Sequence, residues 1–96
     1  MKQDRKLPRP FDMHWGNGDI IEEASARYEH SEAAIQLLEY TDPEHAGYLT
    51  IRFAHYSPDG RFQRSPLMVG ADGIADLRKA LDSTPKLRAL LKKLVG

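Results

Sequence analysis

The segment from Gly47 to Val69 constrains the fold of this chain most, because it contains two strand patterns joined by a specific turn. Residues 48–56 alternate between two faces, and residues 61–69 follow directly after the turn sequence SPDG at 57–60. The proline presets the first turn dihedral, and the glycine tolerates a left-handed conformation. This combination predicts a type I turn closed by a glycine bulge, and so a hairpin of defined register.

A three-residue loop in this turn fixes which residues face one another across the hairpin. The predicted pairs are Tyr56 with Phe62, Ala54 with Arg64, Ile51 with Leu67, and Leu49 with Val69. This register brings the apolar residues of both strands to one face, where they can be buried. Because Pro66 cannot donate a hydrogen bond to a ladder, the last strand is predicted to be an edge or bulged strand.

The segments that precede the hairpin predict an arm and two more strands. Residues 1–18 contain Pro8, Pro10 and two glycines, which indicates an irregular arm. Its residues Phe11, Met13 and Trp15 are too apolar for a free tail, so we expect the arm to lie against the domain or a partner. Residues 19–29 fit a strand or a helix, with the strand favoured, and residues 33–41 predict a strand.

The C-terminal third predicts two short amphipathic helices. Leucine and isoleucine recur with helical spacing in residues 74–81 and again in residues 87–94. Thr84 suits an N-cap, and Pro85 suits the first position of the second helix. We therefore predict a single α+β domain over residues 19–96, with an antiparallel sheet of about four strands and both helices packed on its apolar face.

Composition narrows the classes of function. The 96 residues contain no cysteine, which excludes disulfides and thiol chemistry. No apolar segment is long enough for a membrane span or a signal sequence, which favours a cytoplasmic protein without a membrane partner. The net charge is zero, but residues 20–44 hold seven acids against one arginine, whereas residues 45–96 hold nine bases against four acids. Any affinity for nucleic acid should therefore be local and moderate.

The sheet face opposite the apolar one has no predicted cover and combines aromatic rings with arginines. Rings of this kind stack on bases in single-strand binding proteins, and guanidinium groups meet the phosphates. The predicted nucleic-acid-binding residues are Tyr48, Arg52, Tyr56, Arg61, Phe62 and Arg64. The expected ligand is single-stranded DNA or RNA, and the binding module is expected to be a homodimer. The alternative is that cross-strand pairs merely stabilise this face, or that it is buried in a homodimer or against another protein.

The order of these elements resembles a known family. A strand ending in an aromatic residue at Tyr56, the turn at 58–60, a further strand and an amphipathic helix at 72–81 are similar to the single-stranded-DNA-binding domain of positive cofactor 4 type transcriptional coactivators and their bacterial relatives. The similarity covers roughly residues 34–94. It implies a curved, helix-backed sheet that dimerises and binds single strands. It also implies DNA contacts from the strand positions that are occupied here by Arg52, Tyr56, Phe62 and Arg64.

No catalytic or metal-binding pattern emerges from the remaining polar residues. The four histidines, His14, His30, His45 and His55, lack the spacing of a ligand pair and are interpreted as surface or structural residues. The Gly-x-Gly at 16–18 has no strand before it in the predicted scheme and no phosphate-binding lysine after it. Trp15 is interpreted as a packing anchor. We expect a protein that is not an enzyme and that uses neither a metal nor a cofactor.

Overall fold

The computed structural model of the chain describes residues 5–28, 30–62 and 67–96. Its strands are β1 (Arg9–Met13), β2 (Gly16–Tyr28), β3 (Ser31–Tyr40), β4 (Leu49–Tyr56) and β5 (Leu67–Gly70). They form one antiparallel sheet in the order β1-β2-β3-β4-β5. Two helices follow, α1 (Ile74–Ala80) and α2 (Pro85–Val95). The predicted α+β class is confirmed, with five strands where about four were expected.

Strand β1 occupies part of the segment that was expected to be irregular. Residues 9–13 pair with β2, from Arg9 opposite Ile20 to Met13 opposite Gly16. Pro10 is compatible with this strand because β1 lies at an edge of the sheet, where one side of the backbone needs no ladder partner. Of the segment 19–29, the strand interpretation is confirmed for residues 19–28, since β2 covers residues 16–28, and residue 29 lies outside the described residues.

Next to the turn, the hairpin has the predicted register. The Ser57 amide donates to the Arg61 carbonyl at 2.9 Å, Gly60 has a φ of 88°, and Tyr56 bridges to Phe62. Farther from the turn the predicted register is wrong by two residues. The observed pairs are Phe53 with Leu67 and Ile51 with Val69. A shift of two residues leaves every side chain on its predicted face. The predicted pair of Ala54 with Arg64, and Pro66, lie outside the described residues.

The hydrophobic core lies on one face of the sheet, which we call the covered face. Its buried apolar residues are Phe11, Ile20, Leu38 and Tyr40, and the Phe11 and Tyr40 rings meet edge to face at 5.1 Å. Met13 and Met68 pack against this cluster from the vicinity of opposite sheet edges, so the sheet curls around its own core.

The other side of the sheet is an open face, contrary to expectation. Its apolar residues are Ile35, Leu37, Leu49, Ile51, Phe53, Leu67 and Val69, and the polar residues Glu22, Glu39 and His55 lie on the same face. We expected the helices to cover the apolar residues that β4 and β5 contribute to this face, yet no residue of α1 or α2 is buried. The chain leaves β5 through a 3-10 turn at residues 71–73, which contacts β4. Tyr48 holds this turn by donating its hydroxyl to Asp72 at 2.6 Å.

The boundary between the two helices lies where the sequence indicated. Thr84 is the N-cap of α2 and Pro85 is its first residue. The Thr84 hydroxyl donates back to the Leu81 carbonyl at 3.2 Å and makes no capping hydrogen bond to α2. Within the described ranges, no helix combines the length and the apolarity that crossing a bilayer requires.

Candidate functional site

The polar end of the covered face is built around Glu23, which a β-bulge turns inward. Ile20 pairs with Leu38, but Glu22 pairs with Leu37, so Ile21 is an extra residue in β2. Side chains alternate along a strand, and one inserted residue reverses that alternation. Glu23 consequently joins Ile20 on the covered face, and Glu22 is exposed. Glu23 faces Gln36 across the ladder.

Two arginines of the N-terminal segment hold the two inward carboxylates. Arg9 donates to Glu23 through both terminal nitrogens, at 3.1 and 2.9 Å. Arg5 donates to Glu32 in the same two-pronged manner, at 3.2 and 2.9 Å, and reaches Glu23 at 3.4 Å. The Glu23 and Glu32 side chains are only 8% and 3% exposed. Paired guanidinium and carboxylate forks of this geometry are the strongest protein ion pairs.

Tyr56 and Gln36 complete the network between these pairs. The Gln36 amide nitrogen donates to Glu23 at 2.7 Å and to the Tyr56 hydroxyl at 2.9 Å, and Arg9 donates to the same hydroxyl at 3.2 Å. The Arg5 guanidinium lies 3.9 Å from the centre of the Tyr56 ring. Arg52 donates to the Gln36 oxygen at 2.6 Å. Two carboxylates beside an aromatic ring thus form a receptor for guanidinium groups.

Hydrogen bonds and charges within the network determine the protonation states of Glu23 and Glu32. Burial alone would raise the pKa of Glu23, but hydrogen bonds from Arg9 and Gln36 and the charges of Arg9 and Arg5 lower that pKa to about 2. The Arg5 hydrogen bond likewise lowers the pKa of Glu32. Burial lowers the pKa of Arg52. The two carboxylates are therefore ionised at neutral pH.

The structure describes five of the six predicted site residues, and three of them lie together. Arg52 and Tyr56 are 6% and 5% exposed, which corrects the expectation that their face has no cover. The cover is the N-terminal segment, because Arg5 and Arg9 bind acids on the same face. Phe62 is exposed and contacts both Arg52 and Tyr56. Its ring lies 5.6 Å from the Tyr56 ring and 4.7 Å from the Arg52 guanidinium.

The other predicted site residues do not join this group. Arg61 is exposed beside the turn, with its Nε 3.6 Å from Asp59. Tyr48 stands at the opposite end of β4, roughly 26 Å from Tyr56 for an eight-residue separation along a strand, and packs against Tyr40. Arg64 lies outside the described residues.

The network residues Arg5, Arg9, Glu23, Glu32 and Gln36 were not among the predicted site residues. One signal was available for two of them: Glu32 and Gln36 alternate in step with Leu38 and Tyr40 along residues 31–40. Polar residues in the buried half of an alternating strand need partners. The bulge that turns Glu23 inward leaves no such signal in the sequence.

A second polar cluster follows β3. Asp42, Glu44 and His45 bring possible metal-ligand atoms within 4.8 Å of one another. Asp42 already accepts a hydrogen bond from the Asn17 amide at 3.0 Å, and it pairs with the His45 ring at 2.7 Å. The His45 hydrogen bond lowers the pKa of Asp42. These contacts give Asp42 and His45 a structural role, in holding the loop that precedes Gly47.

Trp15 is half-exposed and donates its ring nitrogen to the Tyr40 hydroxyl at 3.3 Å. The Gly-x-Gly at 16–18 lies within the start of β2.

No protein-family profile, no curated protein and no solved structure matches the chain.

Proposed function

We propose that this protein is a homodimeric interaction module that associates through the open face of its sheet. The observation that carries the proposal is the exposure of Leu49, Phe53 and Leu67 side by side, at 38%, 39% and 63%. Ile51 and Val69 pair between them and are half-buried. Contiguous apolar surface of this kind is typical of protein interfaces.

The total surface supports an interface of substantial size. The chain exposes 7352 Å², whereas a compact monomer of 10.9 kDa exposes about 5,600 Å². Covering the difference of about 1,800 Å² on each of two chains would bury about 3,600 Å², within the range of obligate homodimers. A depression of about 460 Å³, lined on this face by Glu22, Ala24, Ile35, Leu37 and Ile51, offers room for side chains of a partner.

The helices supply a matching surface for a second copy. Leu87, Leu90 and Leu94 are 51%, 65% and 60% exposed on α2. In a two-fold dimer the helices of each chain can lie against the open face of the other, because such contacts are reciprocal. The charge distribution favours this arrangement, since α1 and α2 together carry six bases against one acid, and the segment 20–44 holds seven acids against one base.

Light scattering after size exclusion tests the proposal. A dimer has twice the chain mass of 10.9 kDa. A monomer at every concentration would overturn the proposal. The proposal includes a cytoplasmic location and assigns the chain no catalytic activity.

Single-stranded nucleic-acid binding is the second candidate, as the resemblance to the positive cofactor 4 type domain implies. Two exposed residues at the hairpin, Arg61 and Phe62, support it, because they can offer a charge to a phosphate and a ring to a base. The buried state of Arg52 and Tyr56 restricts the contact surface to this end of the hairpin.

Fluorescence anisotropy with a labelled single-stranded oligonucleotide tests the second candidate. If Arg61 and Arg64 each meet one phosphate, the salt slope is about −1.4, and a fourfold rise in salt weakens binding about sevenfold. Arg61→Ala should weaken binding, whereas Arg78→Ala on α1 should not. No binding at low salt would exclude this function.

A further inference from the structure

Three strands supply the receptor for guanidinium groups on the covered face. The guanidinium groups that it holds come from a different part of the chain. Glu23 comes from β2, Glu32 from β3 and Tyr56 from β4. Their bound guanidinium groups both come from one short segment, at Arg5 and Arg9. The framework of the receptor therefore belongs to the sheet, and its occupant belongs to the arm.

The arm has the properties of an occupant that can be exchanged. Arg9 is the first residue of an edge strand of five residues, and Arg5 precedes every strand. The contacts of Arg5 described above are made by its guanidinium group, with Glu23, Glu32 and the Tyr56 ring. Its Nε is buried and has no hydrogen-bond partner. The arm thus fills the receptor without satisfying all of its own donors.

We propose that Glu23, Glu32 and Tyr56 form a recognition site for an extended peptide segment that carries two arginines four residues apart, with residues 5–9 of this chain as its resident ligand. The two carboxylates receive the two guanidinium forks, and the Tyr56 ring stacks on one of them. Lysine cannot replace arginine here, because an ammonium group offers neither a planar fork nor a stacking surface. This proposal does not depend on dimerisation.

The proposal predicts competition between the resident arm and a peptide supplied in trans. A tethered ligand acts at an effective concentration on the order of millimolar. The wild-type chain should therefore bind a free peptide weakly, and vacating the two arginine positions should expose the site.

Fluorescence anisotropy measures this with two labelled synthetic peptides: RKLPRPFD, the sequence of residues 5–12, and KKLPKPFD as the control. The full chain with Arg5→Ala and Arg9→Ala should bind the first peptide at least about tenfold more tightly than the wild type does. It should bind the lysine peptide about tenfold more weakly than the arginine peptide. Equal binding of the two peptides, or equal binding by the two proteins, overturns the proposal.

Two adjacent acids provide the matched control for nonspecific attraction. In the double-alanine chain, Glu23→Gln should weaken binding of the arginine peptide about tenfold. Glu22→Gln should leave this binding unchanged, because Glu22 lies on the open face. If both changes weaken binding equally, the site is not the one proposed. If circular dichroism shows that the double-alanine chain is unfolded, Arg5→Lys replaces it. That chain should bind the arginine peptide at least about threefold more tightly than the wild type, and equal binding overturns the proposal.

Discussion

Arg9 and Glu23 meet fork to fork, with both terminal guanidinium nitrogens donating to the carboxylate, at 3.1 and 2.9 Å. The two residues are 14 positions apart, and only the pairing of β1 with β2 and the bulge at Ile21 bring them together. Through this pair the N-terminal segment closes the polar end of the covered face.

The first prediction concerns acid stability. The pKa of Glu23 is about 2 in the folded chain, against an ordinary value of 4.5. Folding therefore gains stability from ionised Glu23 above pH 4.5, and this contribution is lost as the pH falls from 4.5 to 2. The expected loss is about 3 kcal/mol of the free energy of unfolding, measured by urea titration across this range. Glu23→Gln should lower stability at neutral pH and make the acid loss shallower, whereas Glu22→Gln should leave the acid loss unchanged. An unchanged acid loss in Glu23→Gln would contradict the assignment.

The second prediction separates the buried arginine pair from an exposed one. Arg9→Lys removes one prong of the fork and the contact with Tyr56, so we expect a loss of about 1–2 kcal/mol in the free energy of unfolding. Arg88→Lys is the matched control, because Arg88 pairs with Asp82 at 3.1 Å on the surface. Its cost should be at most about 0.5 kcal/mol. Equal losses in the free energy of urea unfolding would show that the pair of Arg9 and Glu23 contributes no more to stability than a surface pair.

The third prediction tests the close approach of β2 to β3. A Cβ atom at Gly18 would collide with the backbone of Glu39 and Tyr40, neither of which can move without disturbing the core. Gly18→Ala should therefore cost at least about 2 kcal/mol. At Gly73 a Cβ would meet only Val69, at an ordinary 3.9 Å, so Gly73→Ala should cost less than about 0.5 kcal/mol. Thermal unfolding of both variants checks this, and similar melting temperatures would contradict it.

Local chemistry made part of the fold predictable from the sequence. The SPDG turn gave the pair of Tyr56 and Phe62, because proline and glycine fix the backbone over a few residues. The same turn did not predict that Ile51 faces Val69, since register errors accumulate with distance from the turn. The faces were nevertheless correct, because a shift of two residues preserves alternation.

The candidate site could not be predicted because it depends on contacts between distant residues. Arg5 and Glu32 are 27 positions apart. The apolar residues of the arm predicted that it lies against the domain or a partner, but they did not indicate where its arginines bind. Alternation along β4 separated Arg52 and Tyr56 from the apolar residues, but it could not reveal which face would be covered. The prolines of the arm suggested irregular structure, whereas an edge strand tolerates Pro10.

Two phenylalanines on opposite faces of the sheet allow a matched test of dimerisation through the open face. Phe53 lies on the open face and is 39% exposed, and Phe62 is 40% exposed beside Tyr56 on the opposite side. Loss of a central aromatic residue from an interface commonly costs about 2 kcal/mol or more. Phe53→Gln should therefore raise the dimer dissociation constant more than about tenfold, and Phe62→Gln should leave it unchanged.

Sedimentation equilibrium of the wild type and these two variants, over a range of protein concentrations, measures this difference directly. We predict a wild-type species of twice 10.9 kDa, a dimer of the same strength for Phe62→Gln, and dissociation towards 10.9 kDa for Phe53→Gln. A wild-type protein that stays at 10.9 kDa, or equal effects of the two substitutions, would contradict it.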